Sequence, residues 1–406
     1  MRVLWISNIV ISEELKGSGS WIFSMAHALL SEQNVILGNI VPVKSNIVHK
    51  SDYKSIRQWK IPKITNQIDL EVNKRDLQTV LNIISEFKPD IIHIWGIENG
   101  FSLITPYVDC PVLIEIQGIN SEISKYYYAD FQLAELFKLY SIKEFLTFNS
   151  IFKQKKDMSA LSGRERKIFE LNKYFTVATD WMKANVQTRN NNSVCFSNGF
   201  ILRDEFYNTS WKKGDNKIIL TSASNATPYK GIHLLLDALS ILKNKFPDIQ
   251  LRIIGPFLKK GLRTDGYVFY LHNKIKRLGL KNNVLFLGSL NAGQICNQIL
   301  ESSVFANPSF IESAGMTILE SMSAGIPVVS SYAGGIPSLA QNNVLYFQPG
   351  DYRMLTFQVE QALDFSDIIK NLTVRGKEYI NLYHNKLNVV DNQLRIYKTI
   401  LSSNKK

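Results

Sequence analysis

Short apolar runs, many of them β-branched, recur along this chain with helical stretches between them, and this alternation constrains the fold more than any other feature. In the first half the runs are "RVLWIS", "NVILGN", "DIIHIWG", "PVLIEIQG", "YFTVAT" and "SVCFSNG". In the second half they are "KIILTSAS", "IQLRIIG", "NVLFLG", "SVFANPS", "PVVSS" and "NVLYF". Strands without polar alternation belong in parallel sheets covered by helices on both faces. Six such runs on each side of the polar connector "RDEFYNTSWKKGDN", residues 203–216, predict an α/β chain of two doubly wound, Rossmann-like domains. The expected boundaries are 1–202 and 203–385, with a last helical stretch, 386–406, placed to cross back to the first domain. Sheets of this kind bind ligands beyond the carboxyl ends of their strands, so two facing each other are expected to enclose a cleft.

Composition narrows the function classes. The 406 residues, 45% hydrophobic and 20% charged, suit two or three globular cores. No apolar run approaches the roughly 20 residues that span a bilayer. The opening "MRVLWISNIVIS" lacks the parts of a secretory signal and reads as a buried strand. Cys110, Cys195 and Cys296 lie far apart and fit neither a disulfide framework nor a metal spacing, so a cytoplasmic location is expected. The net charge of +12 asks for an anionic partner. Basic heptads, zinc-finger spacing and ribonucleoprotein-type aromatic motifs are all missing, so nucleic acid is not expected. Phosphorylated ligands and anionic membrane surfaces come first.

Three segments that follow strands could carry chemistry. "EELKGSGSWIFSMAHALL" comes after the first strand, and Gly17 and Gly19 would let backbone N–H groups close on an anion at a helix start. A plain tight turn would use the same glycines. "SASNATPYKGIHLLLDAL" puts Lys230 where a helix opens, opposing the helix dipole at a cost of roughly a few tenths of a kcal/mol unless an anion offsets it. A solvated lysine is the plainer alternative, and the glycine spacing of a phosphate-binding P-loop is absent. "FIESAGMTILESMSAGIPVVSS", residues 310–331, sets Glu312 before a helix beginning near Gly315, with Glu320 inside it. The N–H groups of Gly315, Met316 and Thr317 have no partner within such a helix and suit a diphosphate. Both carboxylates could accept hydrogen bonds from a polyhydroxylated ligand. Alternatively, Glu312 complements the helix dipole and Glu320 faces solvent.

Glu312 and Glu320 with seven residues between them, "AGIPVVSS" after them, "PYKG" before a helix, "SNGF" at 197–200, "PDIIHIWG" at 89–96 and "GGIP" at 334–337 form an ordered set. Over nearly the whole chain this set resembles the retaining glycosyltransferases of the GT-B fold in family 4, among them many lipopolysaccharide and capsule enzymes. The resemblance implies an acceptor-side first domain and a donor-side second domain. It implies Lys230 at the donor diphosphate, Glu320 at the nucleotide ribose, and Glu312 near the donor sugar with the amides of Gly315, Met316 and Thr317. Glu312 and Lys230 would be the catalytic pair, Gly17 and Gly19 would approach the donor phosphates, and His93 and Gln117 would lie on the acceptor side. Three positions depart from the pattern. Asn225, on the donor-binding loop, stands where arginine is common, Gln117 where histidine is common, and Ser338 where glutamate is common. The implied reaction moves a sugar from a nucleoside diphosphate sugar to a glycan or lipid-linked acceptor in cell-surface polysaccharide synthesis. Lys230 and the helix start would meet the leaving charge, with no metal and no other cofactor expected.

Residues 121–172 interleave Tyr126, Tyr127, Tyr128, Phe145, Phe148 and Phe152 with Lys153, Lys155 and Lys156. They could lie on an anionic membrane at the cytoplasmic face, or pack as helices on the first domain with the lysines solvated. A catalytically decayed nucleotide-sugar-binding or scaffold protein is the competing reading, and a two-domain sugar-nucleotide epimerase is a third. A nicotinamide-dependent oxidoreductase is disfavoured, because "KGSGSWIF" lacks the third glycine in register. The loop "IIGPFLKKGLRTDGY", residues 253–267, is the expected neighbour of the base.

Overall fold

The computed structural model describes residues 1–12, 20–32, 34–63, 68–98 and 100–404. The chain divides into two units, one of Met1–Ser121, Ser159–Ile201 and Tyr383–Lys406, the other of Glu122–Met158 and Leu202–Leu382.

In the first unit the described strands are β1 (Arg2–Ile6), β2 (Ile36–Val43), β3 (His49–Tyr53), β4 (Ile56–Pro62), β5 (Ile91–Trp95), β6 (Val112–Glu115), β7 (Tyr174–Val177) and β8 (Val194–Ser197). They form one sheet in the order β3-β4-β2-β1-β5-β6-β7-β8. Every pairing is parallel except that of β3 with β4. The six expected strands form, and the hairpin β3–β4 is an addition that a search for apolar runs passes over. β3 reads "HKSDY" and lies largely exposed at the sheet edge, where polar residues discourage pairing with other chains. Its turn is closed by Lys54 at φ 53°. The helix Lys386–Ser403, capped by the Asn385 side chain, packs Val389, Val390, Ile396, Tyr397 and Ile400 into one core with Val3, Trp5, Ile22 and Met25. The end of the chain therefore completes the unit that its beginning starts.

The second unit contains β9 (Ile218–Ser222), β10 (Gln250–Ile254), β11 (Val284–Gly288), β12 (Val304–Asn307), β13 (Val328–Ser331) and β14 (Leu345–Phe347). All are parallel, in the order β11-β10-β9-β12-β13-β14. From β9 the chain runs outward through β10 to β11, then returns to β12 on the opposite side. The reversal between β9 and β12 is a topological switch point, where loops at the carboxyl ends part and leave a crevice.

Residues 122–158 group with this second unit and not with the first, to which the sequence assigns them. Long-range polar and aromatic contacts decide this. Asp130 lies 2.8 Å from His233 Nε2, and the Phe131 ring packs against His233 and Tyr270. The Glu144 carboxylate accepts from the backbone N–H groups of Ser141 and Gly266. Gly266 must be glycine here, because a Cβ would sit 1.7 Å from the Leu139 carbonyl oxygen. The rest of that aromatic and basic stretch, from Ser159 onward, groups with the first unit.

Candidate functional site

Loops following β9, β12 and β13 converge because those three strands are neighbours. After β9 the turn Pro228–Lys230 is a single 3-10 turn ended by Gly231 at φ 69°. Lys230 thus precedes the helix Ile232–Lys245 by one residue. A Cβ on Gly231 would come within 2.0 Å of the Pro308 carbonyl oxygen, and the Phe310 N–H donates to the Tyr229 carbonyl at 2.7 Å. These contacts fasten the loop after β9 to the loop after β12 across the switch point.

The result is a close ion pair. Lys230 Nζ lies 2.8 Å from both carboxylate oxygens of Glu312, with both side chains largely withdrawn from solvent. Burial pulls the lysine pKa down, but the Glu312 charge and hydrogen bond outweigh it and hold the ammonium above its ordinary range. Glu312 is in turn positioned by the loop after β13. Its carbonyl accepts from the Gly335 N–H at 2.8 Å, and Gly334, at φ 54°, passes so close that a Cβ would be 2.2 Å from the same oxygen.

The helix Met316–Ala324 begins at Gly315, which supplies no side-chain cap. Its first bond runs from the Ile318 N–H to the Gly315 carbonyl, at 2.9 Å. The N–H groups of Gly315, Met316 and Thr317 precede that bond and have no hydrogen-bond partner among the described residues. Unpartnered amides at a helix start can donate to an anion.

Glu320 does not face solvent. It is buried, and its Oε1 accepts from Arg203 Nε at 3.0 Å and from a terminal guanidinium nitrogen at 2.8 Å. Burial raises the carboxyl pKa and Arg203 opposes the rise. Both recorded bonds end on Oε1. Arg203 escapes sequence reasoning because it sits 117 residues from its partner, inside a stretch read as connector. Asn225 braces its own loop, donating to the Tyr229 hydroxyl at 3.1 Å and accepting from the Thr227 hydroxyl at 2.7 Å. It supplies no cation.

The first-unit candidates are placed differently. Gly17 and Gly19 lie outside the described residues. Gln117, just after β6, is half-buried beside the Gly96 turn. His93 is a core residue of β5 with no exposed surface, which removes it from the acceptor side. Its Nδ1 lies 2.7 Å from the Tyr397 hydroxyl, and its Nε2 lies 3.7 Å from Glu115. Burial holds His93 down to about 3 and pushes the Glu115 carboxyl up to about 8.

Comparison with known proteins agrees with this geometry. Residues 204–379, within the second unit, match the model of the family of glycosyl transferases group 1. Solved structures resemble the chain over nearly its full length. Sucrose-phosphate synthase from Thermosynechococcus elongatus superposes with a TM-score of 0.76 at 13% identity, covering 99% of this chain and 100% of that one. Anabaena HepE in complex with UDP-glucose gives 0.65 at 17% identity, covering 99% and 100%. WaaG, a glycosyltransferase involved in lipopolysaccharide biosynthesis, gives 0.63 at 15%, covering 96% and 98%. The fold is therefore GT-B, two parallel-sheet α/β units. No curated protein sequence matches the chain.

Proposed function

We propose that this glycosyltransferase moves a sugar from a nucleoside diphosphate sugar, with retention at the anomeric carbon, to a glycan or lipid-linked acceptor in cell-surface polysaccharide synthesis. The observation that carries the reading is Lys230 held against Glu312 at the switch point, beside three N–H groups without partners. That arrangement suits a diphosphate. The ammonium and the amides of Gly315, Met316 and Thr317 would take its oxygens, so charge building on the leaving group meets preorganised donors and no metal is required. Glu312 would then turn part of its carboxylate to the donor sugar. Glu320, anchored through Oε1 by Arg203, would offer Oε2 to the ribose hydroxyls. Asn225 would hold the loop shape without adding charge. Gln117 would approach the acceptor from the first unit. A front-face displacement, in which the leaving phosphate helps to deprotonate the acceptor, needs no protein nucleophile.

The named solved relatives support a nucleotide donor, since one of them carries UDP-glucose. A catalytically decayed binding protein is the second reading, favoured by the missing cation at Asn225. Turnover of a sugar nucleotide separates the two, and thermal shift with UDP, GDP and their sugar conjugates tests the donor site. A ligand at 100 times its Kd should stabilise the protein by about 2.7 kcal/mol. The shift should appear with one nucleotide and vanish in Lys230→Ala and Glu320→Ala. Turnover products should keep the donor's anomeric configuration by NMR. A protein that binds a nucleotide but turns over none of its sugar conjugates would be the decayed binding form, and a folded protein that responds to no nucleotide would be a scaffold.

A further inference from the structure

We propose that the second unit carries a docking surface for an anionic phospholipid bilayer, built from residues 133–148 and 258–263. The first observation is apolar exposure concentrated on a braced scaffold. Phe148 is 82% exposed, Leu133 71%, and Phe137 and Leu262 68% each. Phe145 and Leu146 are close behind. Between the two segments lies an apolar recess of about 520 Å³, lined by Tyr140, Ile142, Phe145, Leu262 and Phe269. Large apolar side chains exposed in such number around one apolar recess mark an interaction site more often than a plain surface.

This exposure does not come from a loosely attached segment. The Glu144 carboxylate bonds the N–H groups of Ser141 and Gly266, the Ser141 hydroxyl donates to the Thr264 carbonyl at 2.6 Å, and Lys143 pairs with Asp265. Polar groups turn inward to hold the scaffold while aromatic and aliphatic groups are displayed outward.

Charge identifies the occupant. Acidic groups on these segments and beside them each have a partner within the chain: Asp265 in Lys143, Asp157 in Lys153, Asp130 in His233, Glu135 in the Gln132 N–H and Glu144 in backbone amides. By contrast, Lys138, Lys156, Lys259, Lys260 and Arg263 have no ion-pair partner among the described residues. A second copy of the chain would set these cations against their like. An anionic bilayer instead receives the apolar side chains into its interface and the cations among its headgroups. The recess offers an acyl chain further apolar contact. The loop expected near the nucleotide base thus contributes residues 258–263 to this surface. The inference is independent of the donor reading, because a chain that turns over no sugar nucleotide would still bind vesicles.

The test is co-sedimentation of the full chain with vesicles of phosphatidylcholine alone or mixed equally with phosphatidylglycerol. Binding should require phosphatidylglycerol and weaken with salt. It should fall by about tenfold or more in Phe145→Ser/Phe148→Ser and, separately, in Lys259→Glu/Lys260→Glu, with melting temperatures unchanged. Should the aromatic variant fail to fold, the lysine variant carries the test alone. No binding to the mixed vesicles, or equal binding by folded variants, overturns the proposal. A concentration-dependent dimer in sedimentation velocity, abolished by the phenylalanine changes, would assign the surface to a second copy and overturn it as well.

Discussion

Each unit buries carboxylates, and the two units neutralise them in opposite ways. In the first, Glu115 lies beside His93, Thr176 and Tyr397, with no lysine or arginine paired to it among the described residues. Burial alone then discharges the site, raising the glutamate to about 8 and lowering the histidine to about 3, so both are uncharged near neutral pH. In the second, Glu312 and Glu320 are similarly withdrawn, yet each meets a cation, Lys230 and Arg203. There a cation faces each carboxyl where water is scarce and electrostatic interactions are strong. Such pairs are poor ways to gain stability, since desolvation offsets much of their attraction. The place of Lys230 and Glu312 in the loops after β9 and β12 makes better sense as provision for a charged ligand.

The contrast can be broken most sharply at Arg203. Arg203→Met should leave Glu320 buried without a partner and cost roughly 3–5 kcal/mol, whereas Arg203→Met/Glu320→Met should recover most of that loss. Urea unfolding measures both, and a single-variant cost below about 1 kcal/mol would mean that the pair is not what neutralises Glu320.

At Glu115 the expected signature is in the pH dependence. Its carboxyl is raised in the folded state, so the stability it contributes is complete below the ordinary value of 4.5 and is lost as pH rises towards about 8. Wild type should therefore lose stability relative to Glu115→Gln across that window, by an amount on the order of 4 kcal/mol. His93, lowered in the folded state, acts in the opposite sense, with its contribution lost as pH falls from 6.5 towards about 3. Parallel melting curves of the two proteins from pH 5 to 8 would show that Glu115 is not held neutral.

The smallest effect sharpens the geometry around Glu312. Gly334→Ala adds a Cβ 2.2 Å from the Glu312 carbonyl oxygen at a positive φ, and should cost about 1–3 kcal/mol. It should also weaken nucleotide binding by displacing Glu312. Gly214→Ala, with nothing within 4 Å of the new atom, is the neutral control. Equal melting temperatures for the two variants would show that the loop after β13 yields freely and does not position Glu312.

Much of this molecule was legible in local patterning. Twelve apolar runs marked twelve of the strands, and the helix start at Gly315 followed from small residues before an apolar stretch. Both are properties of neighbouring residues, which periodicity and capping report directly. Lys230 and Glu312 stood out for the same reason, although their separation of 2.8 Å did not. The hairpin β3–β4 escaped because the exposed edge strand β3 carries no apolar run and β4 interrupts its apolar residues with Arg57, Gln58 and Lys60. Tertiary structure alone decided that Arg203 meets Glu320, that His93 disappears into the core against Tyr397, and that residues 122–158 join the second unit. Each depends on a pairing between residues distant in sequence, 117 positions apart for Arg203 and 304 for His93. Spacing along a chain says which face a residue can present, but partners at such distances are chosen by the packing of whole sheets and helices.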